Sequence, residues 1–294
     1  MRGAPQQVLN PAEPGAQRRA AVLGSPIAHS LSPALHRAAY AHLGLTGWAY
    51  ERHELVADQL PGFLAGLDAS WAGLSLTMPL KEAALEVAAA ASPLARELGN
   101  ANTLLPGEDG WHADNTDVEG LRRALAGAGP PLDRHAVVVG SGATARSAVA
   151  ALDALGVRAV TFVLRGRLRE PTAAQCRARG LAVQVVPYAE AAPVLAGAAL
   201  VVSTVPAGAA DPLAVALATR PVEDRGAAPA VVLDVVYAGW PTPLARVFGE
   251  RGAQVVSGLE MLVHQAVAQV RLMTGRQVPA EVLRQAGLAA LSSV

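Results

Sequence analysis

The sequence predicts an α/β fold of two domains built on largely parallel sheets. Three observations carry that expectation. Short apolar runs alternate with segments of helical spacing along nearly the whole chain, which favours sheets covered by helices on both faces. A Gly-x-Gly turn sits where one such run becomes a helix. The 294 residues suffice for two domains of ordinary size.

The first 19 residues, "MRGAPQQVLNPAEPGAQRR", are rich in Pro, Gly and Gln and lack the apolar stretch of a secretion signal, so they read as a mobile tail. "AAVLG" at 20–24 then has the look of a buried strand. "SPALHRAAYAHLG" shows helical spacing, with Leu35, Ala38, Ala39, His42 and Leu43 on one side and Gly44 as the stop. "WAYERHEL" alternates like a strand, "ADQLPGFLAGL" predicts a short helix, and "WAGLSLT" another strand. "KEAALEVAAA" and "PLARELG" read as helices, while Asn102–Leu105 and Gly110–His112 pair as a hairpin.

A second series follows the turn-forming "AGAGPPLD". "HAVVVGSGATARSAVAALDALGV" reads as strand, glycine turn and helix. "RAVTFVLRG", "LAVQVVP", "ALVVSTVP", "AVVLDVV" and "AQVVSG" are further buried strands, spaced to leave room for crossovers. The last leads into the long helix "LEMLVHQAVAQVRLMTG". The break near 118–133 predicts a first domain of residues 20–117, completed by 259–294, and a second of residues 118–258.

Composition narrows the function. Equal numbers of basic and acidic residues, 24 each, argue against a nucleic-acid or anionic-membrane binder, and there is no apolar run long enough to span a bilayer. The one cysteine, Cys176, cannot form an internal disulfide, which suits a cytoplasmic protein, and its setting "AAQCRARG" reads as plain helix. Of the 24 basic residues only Lys81 is a lysine; the rest are arginine. Arginine stays protonated in a protein whereas lysine can pass a proton, so the exception suggests proton transfer, although chance accounts for a single lysine equally well.

Two stretches suggest ligands. The turn Gly140, Ser141, Gly142, Ala143 and Thr144 stands between strand and helix, where glycines let the backbone approach a pyrophosphate and the helix N-terminus favours its charge. Arg165, Arg167 and Arg169 occupy the end of the next strand, ahead of the first acidic residue, Glu170. Arginines there stabilise the additional phosphate of NADP, whereas NAD calls for an acidic residue. Ser30 and Ser32, two apart, would point the same way in an extended segment and could share one carboxylated or hydroxylated ligand; Ser32 also reads as a helix cap before Pro33. His29 and His36 read as structural, with no metal-ligand spacing around them. Asn102, Thr103 and Asp117 lie in turn-forming stretches and could serve only locally.

Taken in order, "GSPIAHSLSPALH", "SLTMPLK", "GNANTL", "DNTD", "GSGATAR", "DVVYAGWPTPL" and "GLEMLVHQ" resemble the shikimate dehydrogenase family over residues 20–275. The resemblance implies a discontinuous substrate domain and a Rossmann-like NADP domain facing each other across a cleft. It also implies reduction of 3-dehydroshikimate to shikimate with NADPH, on the route to chorismate and the aromatic amino acids, by a monomer or homodimer that needs no metal. By the same resemblance Lys81 and Asp117 form the catalytic pair and Ser30 and Ser32 hold the substrate carboxylate. Thr77, Asn102 and Gln265 hold its hydroxyls, and Tyr237 stands at the substrate side. Val235, Gly258 and Met261 lie near the nicotinamide, and Arg165 and Arg169 clamp the 2′-phosphate. The sequence departs from the family's pattern at Ser75, in place of Asn, and at Ala143, in place of the third glycine. Further departures are Leu164, Gly166, Ala238 and Gly239. A quinate or dual-specificity dehydrogenase is the nearest alternative, disfavoured by the two serines and the arginines; a non-catalytic NADP sensor leaves Lys81, Asp117 and the serines without a purpose.

Overall fold

A computed structural model describes residues 17–128, 135–220 and 230–292. Residues 1–16 of the expected tail, and most of the "AGAGPPLD" turn, lie outside the described residues. The chain divides into two compact units, residues 1–116 with 265–294 and residues 117–264.

Unit 1 is built on a mixed six-stranded sheet. Its strands are β1 (Arg18–Gly24), β2 (Trp48–Glu54), β3 (Trp71–Leu76), β4 (Ala90–Ala91), β5 (Thr103–Gly107) and β6 (Gly110–Asp114), in the order β2-β1-β3-β5-β6-β4. β1 runs parallel to β2 and β3, whereas β5 is antiparallel to both β3 and β6. The sheet is therefore mixed rather than mostly parallel, because the short β5–β6 hairpin inserts where a crossover helix would be needed for a parallel pair. β3 is buried at all six positions, as a central strand should be. Leu23, Leu74, Leu76 and Leu104 pack against Leu80 and Ala84 of α3 (Leu80–Val87).

Three local expectations need correcting. β1 begins at Arg18, two residues before the apolar run, because Arg19 is held by a two-pronged ion pair with Glu51 of β2. α3 ends at Val87 rather than continuing through the alanines: Ala90 and Ala91 pair with His112 and Ala113 instead, so backbone pairing with β6 overrides alanine's helix propensity. In α1 (Ser32–His42) the buried face carries Ser32, Leu35, His36, Ala39 and Tyr40, while His42 is exposed. His36 lies within that face because it stacks on Tyr50, ring centroids 4.0 Å apart. Burial pulls its pKa down to about 3, so the ring stays neutral and structural.

Unit 2 carries an all-parallel sheet. Its strands are β7 (His135–Val139), β8 (Ala159–Leu164), β9 (Ala182–Pro187), β10 (Leu200–Ser203), β11 (Val231–Asp234) and β12 (Gln254–Ser257), in the order β12-β11-β10-β7-β8-β9. That order is the doubly wound one, and it switches direction between β7 and β10. Alternate side chains of each strand enter two separate cores. Val138, Phe162, Val202 and Leu233 meet α5 (Asp117–Ala126), α6 (Ala143–Ala154) and the start of α11 (Gly258–Thr274). Val137, Val139, Val163, Val201 and Val232 meet α8 (Ala191–Ala196), α9 (Asp211–Ala218) and α10 (Pro243–Glu250). α4 (Pro93–Leu98) belongs to unit 1, and α7 (Glu170–Ala178) follows β8 in unit 2. No helix among the described residues is long and apolar enough to cross a membrane.

Candidate active site

In unit 1, strand direction gathers the predicted polar residues on one edge of the sheet. β1 and β3 end there, leading to Ser30 and Ser32 and to Thr77 and Lys81. The antiparallel β5 begins at the same edge, just after Asn102, and β6 ends there, just before Asn115 and Thr116. The loop to Ser30 is fixed by β2: Ser25 Oγ donates to Glu54 at 2.8 Å, and Arg52 donates to the Ala28 carbonyl. Ser30 and Ser32 do come close, but through a turn at Leu31 (φ −82°, ψ −9°) rather than along an extended segment. Ser30 Oγ accepts from the backbone N–H of Ser32 at 3.3 Å, so Ser30 supports the helix start, and Ser32 is a helical residue rather than its cap.

Asn102 is far more than a turn former. Its Oδ1 accepts from Thr103 Oγ1 (2.9 Å) and from the backbone N–H of Thr116 (2.8 Å), and its Nδ2 donates to Thr116 Oγ1 (2.9 Å) and Gln265 Oε1 (3.2 Å). The preceding turn is laced the same way, with Asn115 Nδ2 donating to Asn100 Oδ1 at 2.7 Å. Lys81 is half-buried near the start of α3, and its carbonyl accepts from the N–H of Ala101, next to Asn102. Behind these residues a buried chain runs from Tyr50 OH to Ser75 Oγ (2.6 Å) and on to Gln269 Oε1 (2.8 Å). Burial drives the Tyr50 phenol well above its ordinary pKa, against hydrogen bonds with Ser75 and Ser32. The sequence reading missed Tyr50, Thr116 and Gln269; Gln269 stands one helical turn beyond Gln265, and that spacing was the available signal.

In unit 2 the carboxyl ends of the strands carry the second set. Gly140, φ +102°, follows β7, and a Cβ there would meet Thr204 Oγ1 at 2.8 Å and Val205 at 2.9 Å. Gly142, at the N-cap of α6, has ordinary φ and no protein atom within 4 Å of where a Cβ would stand. The turn thus requires glycine at 140 for its own shape, while at 142 glycine leaves a space suited to a pyrophosphate. Gly140→Ala is expected to lower the melting temperature. Gly142→Ala should leave it unchanged and raise the KM for the nucleotide, which thermal scans and initial rates will separate. Thr172 Oγ1 donates to the Ser141 carbonyl at 2.9 Å, tying the turn to α7, whose N-cap is Arg169.

Arg165, Arg167 and Arg169 are exposed beyond β8, and among the described residues none has a carboxylate partner. Arg165 lies over the Tyr188 ring, 5.3 Å from its centroid, and donates to the Ala209 carbonyl. Glu170, the nearest acid in sequence, pairs with Arg177 instead. This basic end of β8 fits the extra phosphate of NADP. Val235 and Gly258 are brought together so closely that a Cβ on Gly258 would lie 1.9 Å from the Val235 carbonyl oxygen. Gly258→Ala must therefore part β11 from the start of α11, and a loss of about 3 kcal/mol or more is expected in denaturant unfolding. Met261 packs into the core beside Leu121 and Val138. Tyr237 is half-buried in a loop whose root is held by Asp234, which accepts from Thr242 Oγ1 (2.8 Å) and from the N–H of Val236 (3.2 Å). Asp117, buried, opens α5.

Comparison with known proteins now bears on these residues. Residues 22–104 match the family model of the shikimate dehydrogenase substrate binding domain, and residues 258–286 that of the shikimate 5′-dehydrogenase C-terminal domain. The shikimate dehydrogenase (NADP(+)) of Thermus thermophilus is 37% identical over 87% of this chain and 92% of its own length. The chain belongs to the shikimate dehydrogenase family. The shikimate dehydrogenase (NADP(+)) of Symbiobacterium thermophilum is 36% identical over 94% of this chain and 96% of its own. Among solved structures, Mycobacterium tuberculosis shikimate dehydrogenase is 42% identical, with a TM-score of 0.80 over 94% of this chain and all of the other. The shikimate 5-dehydrogenase of Thermus thermophilus in complex with NADP(H) and shikimate is 33% identical, with a TM-score of 0.78 over the same shares.

Proposed function

We propose that this chain is an NADP-dependent shikimate dehydrogenase, an oxidoreductase that interconverts 3-dehydroshikimate and shikimate in the biosynthesis of chorismate and the aromatic amino acids. The observation that carries the reading is the gathering of Ser30, Ser32, Thr77, Lys81 and Asn102 on one sheet edge, in a family whose relatives carry that name. Ser30 and Ser32 hold the substrate carboxylate, and Thr77, Asn102 and Gln265 its hydroxyls, with Tyr237 at the substrate side. Lys81, partnered by Asp117, gives a proton to the carbonyl oxygen as negative charge develops on it, and recovers that proton in the reverse direction. A guanidinium at that place would hold its proton too tightly. NADP, when bound, supplies or accepts the hydride. The turn from Gly140 to Thr144 would hold its pyrophosphate, Arg165 and Arg169 its 2′-phosphate, and Val235, Gly258 and Met261 would flank the nicotinamide. The enzyme works in the cytoplasm as a monomer or homodimer, and its single cysteine, buried and with burial pushing its pKa up to about 11, stays an unreactive thiol.

Initial rates of shikimate and quinate oxidation with NADP and NAD test the reading. Shikimate with NADP is expected to exceed shikimate with NAD in kcat/KM by about 10²-fold, the scale of two lost charge-assisted hydrogen bonds, and to exceed quinate with NADP as well. A preference for quinate or for NAD would overturn it.

A further inference from the structure

We propose that Gln269, acting with Tyr50 and Ser75, is a positioning residue that, together with the Thr116 backbone N–H, fixes which way the substrate-binding amides Asn102 and Gln265 face; the proposal rests on the functional reading above. Gln269 is 1% exposed, and each of its polar atoms is used. Its Oε1 accepts from Ser75 Oγ at 2.8 Å, while its Nε2 donates to the Asn102 carbonyl at 3.0 Å and to Thr103 Oγ1 at 2.9 Å.

The direction of every bond in the chain follows. Thr103 Oγ1, having accepted from Gln269, gives its own proton to Asn102 Oδ1. The backbone N–H of Thr116 donates to the same oxygen, and a backbone donor cannot reverse. With Oδ1 filled from two sides, Asn102 turns its Nδ2 to Gln265 Oε1. That contact places the NH2 group of Gln265 on the opposite side of its amide, as a donor suited to a hydroxyl oxygen. At its other end the chain reaches Tyr50, whose hydroxyl donates to Ser75 Oγ at 2.6 Å. One buried amide thus joins the Tyr50 and Ser75 hydroxyls with the amides assigned to the substrate hydroxyls. A hydrocarbon side chain would fill the same space between β3, β5 and α11, but it would take the donor away from Thr103 Oγ1 and from the Asn102 backbone carbonyl, leaving the Thr103 hydroxyl free to turn and Asn102 Oδ1 held from the Thr116 side alone.

The experiment measures KM for shikimate and for NADP, kcat and melting temperature in Gln269→Leu, Tyr50→Phe and the double variant. Gln269→Leu is expected to raise the shikimate KM about tenfold, the usual weight of a lost buried hydrogen bond, with the NADP KM within about twofold of wild type. Tyr50→Phe keeps the ring stacked on His36 and is expected to raise the shikimate KM about threefold. In the double variant the shikimate KM should match that of Gln269→Leu alone, because Tyr50 acts through Gln269. Unchanged shikimate KM values, equal rises for both substrates, or simple additivity would each overturn the proposal. Should Gln269→Leu fail to fold, Tyr50→Phe decides by itself. A wild-type chain inert to shikimate would overturn the functional reading and this proposal together; an active wild type with unaltered variants overturns this proposal alone.

Discussion

Lys81→Arg is expected to lower kcat for shikimate oxidation by about 10² to 10⁴, with the shikimate KM moving by less than about tenfold. The positive charge is kept in this exchange, carried on a longer and planar group. What is lost is the ability to release a proton, because a guanidinium stays protonated through any accessible pH. The substitution should be harmless to the fold: Lys81 is half-buried in the first turn of α3, and arginine propagates a helix as well as lysine does. Steady-state kinetics beside a thermal melt will show whether turnover falls while stability holds. Near-normal turnover would remove Lys81 from the mechanism.

The second large effect is expected on cofactor choice. Replacing Arg165 and Arg169 together by alanine should cut kcat/KM with NADP by about 10²-fold, since each charge-assisted bond to a phosphate contributes roughly 1.5–3 kcal/mol in part-exposed settings. With NAD, which lacks the 2′-phosphate, the same variant should change little. Arg165 has a further role in the free protein, over the Tyr188 ring and bonded to Ala209, so part of its loss will show as loosening of that loop. Paired measurements with the two nucleotides separate the effects: equal losses with both would mean that the arginines are structural.

The doubly wound half of the molecule was legible in the sequence because most of its strands are apolar runs and Gly140-Ser141-Gly142 marks the first turn; β9, expected to be buried, is instead an edge strand exposed at five of its six positions, with Gln184 within it. The mixed sheet of unit 1 was less so. A two-residue strand such as Ala90–Ala91 has no periodicity to detect, and only its pairing with His112 and Ala113 makes it a strand. Similarly, Ser32 carries the residue type and the following proline of a helix cap, yet the chain turns one residue earlier, at Leu31. At the site, Lys81 stood out by its chemical type. Tyr50, Thr116 and Gln269 did not, and Ser75 stood out only as a departure from the family's pattern, because polar residues acting as a buried relay are recognised only once strands and helix bring them within hydrogen-bonding distance. Asn102 bonds across 14 residues to Thr116 and across 163 to Gln265, separations that no local pattern encodes.

Chemical rescue at position 81 is the most direct test of the lysine's role. The only native cysteine, Cys176, is fully buried with its thiol pKa pushed up to about 11, so Lys81→Cys provides a single reactive thiol. Alkylation with 2-bromoethylamine then restores an ammonium at nearly the original reach, whereas iodoacetamide adds a neutral amide of similar bulk. The account predicts that Lys81→Cys is nearly inactive, that aminoethylation returns a large part of kcat, and that carbamidomethylation returns none. Full activity in the unmodified variant, or equal recovery with both reagents, would contradict it.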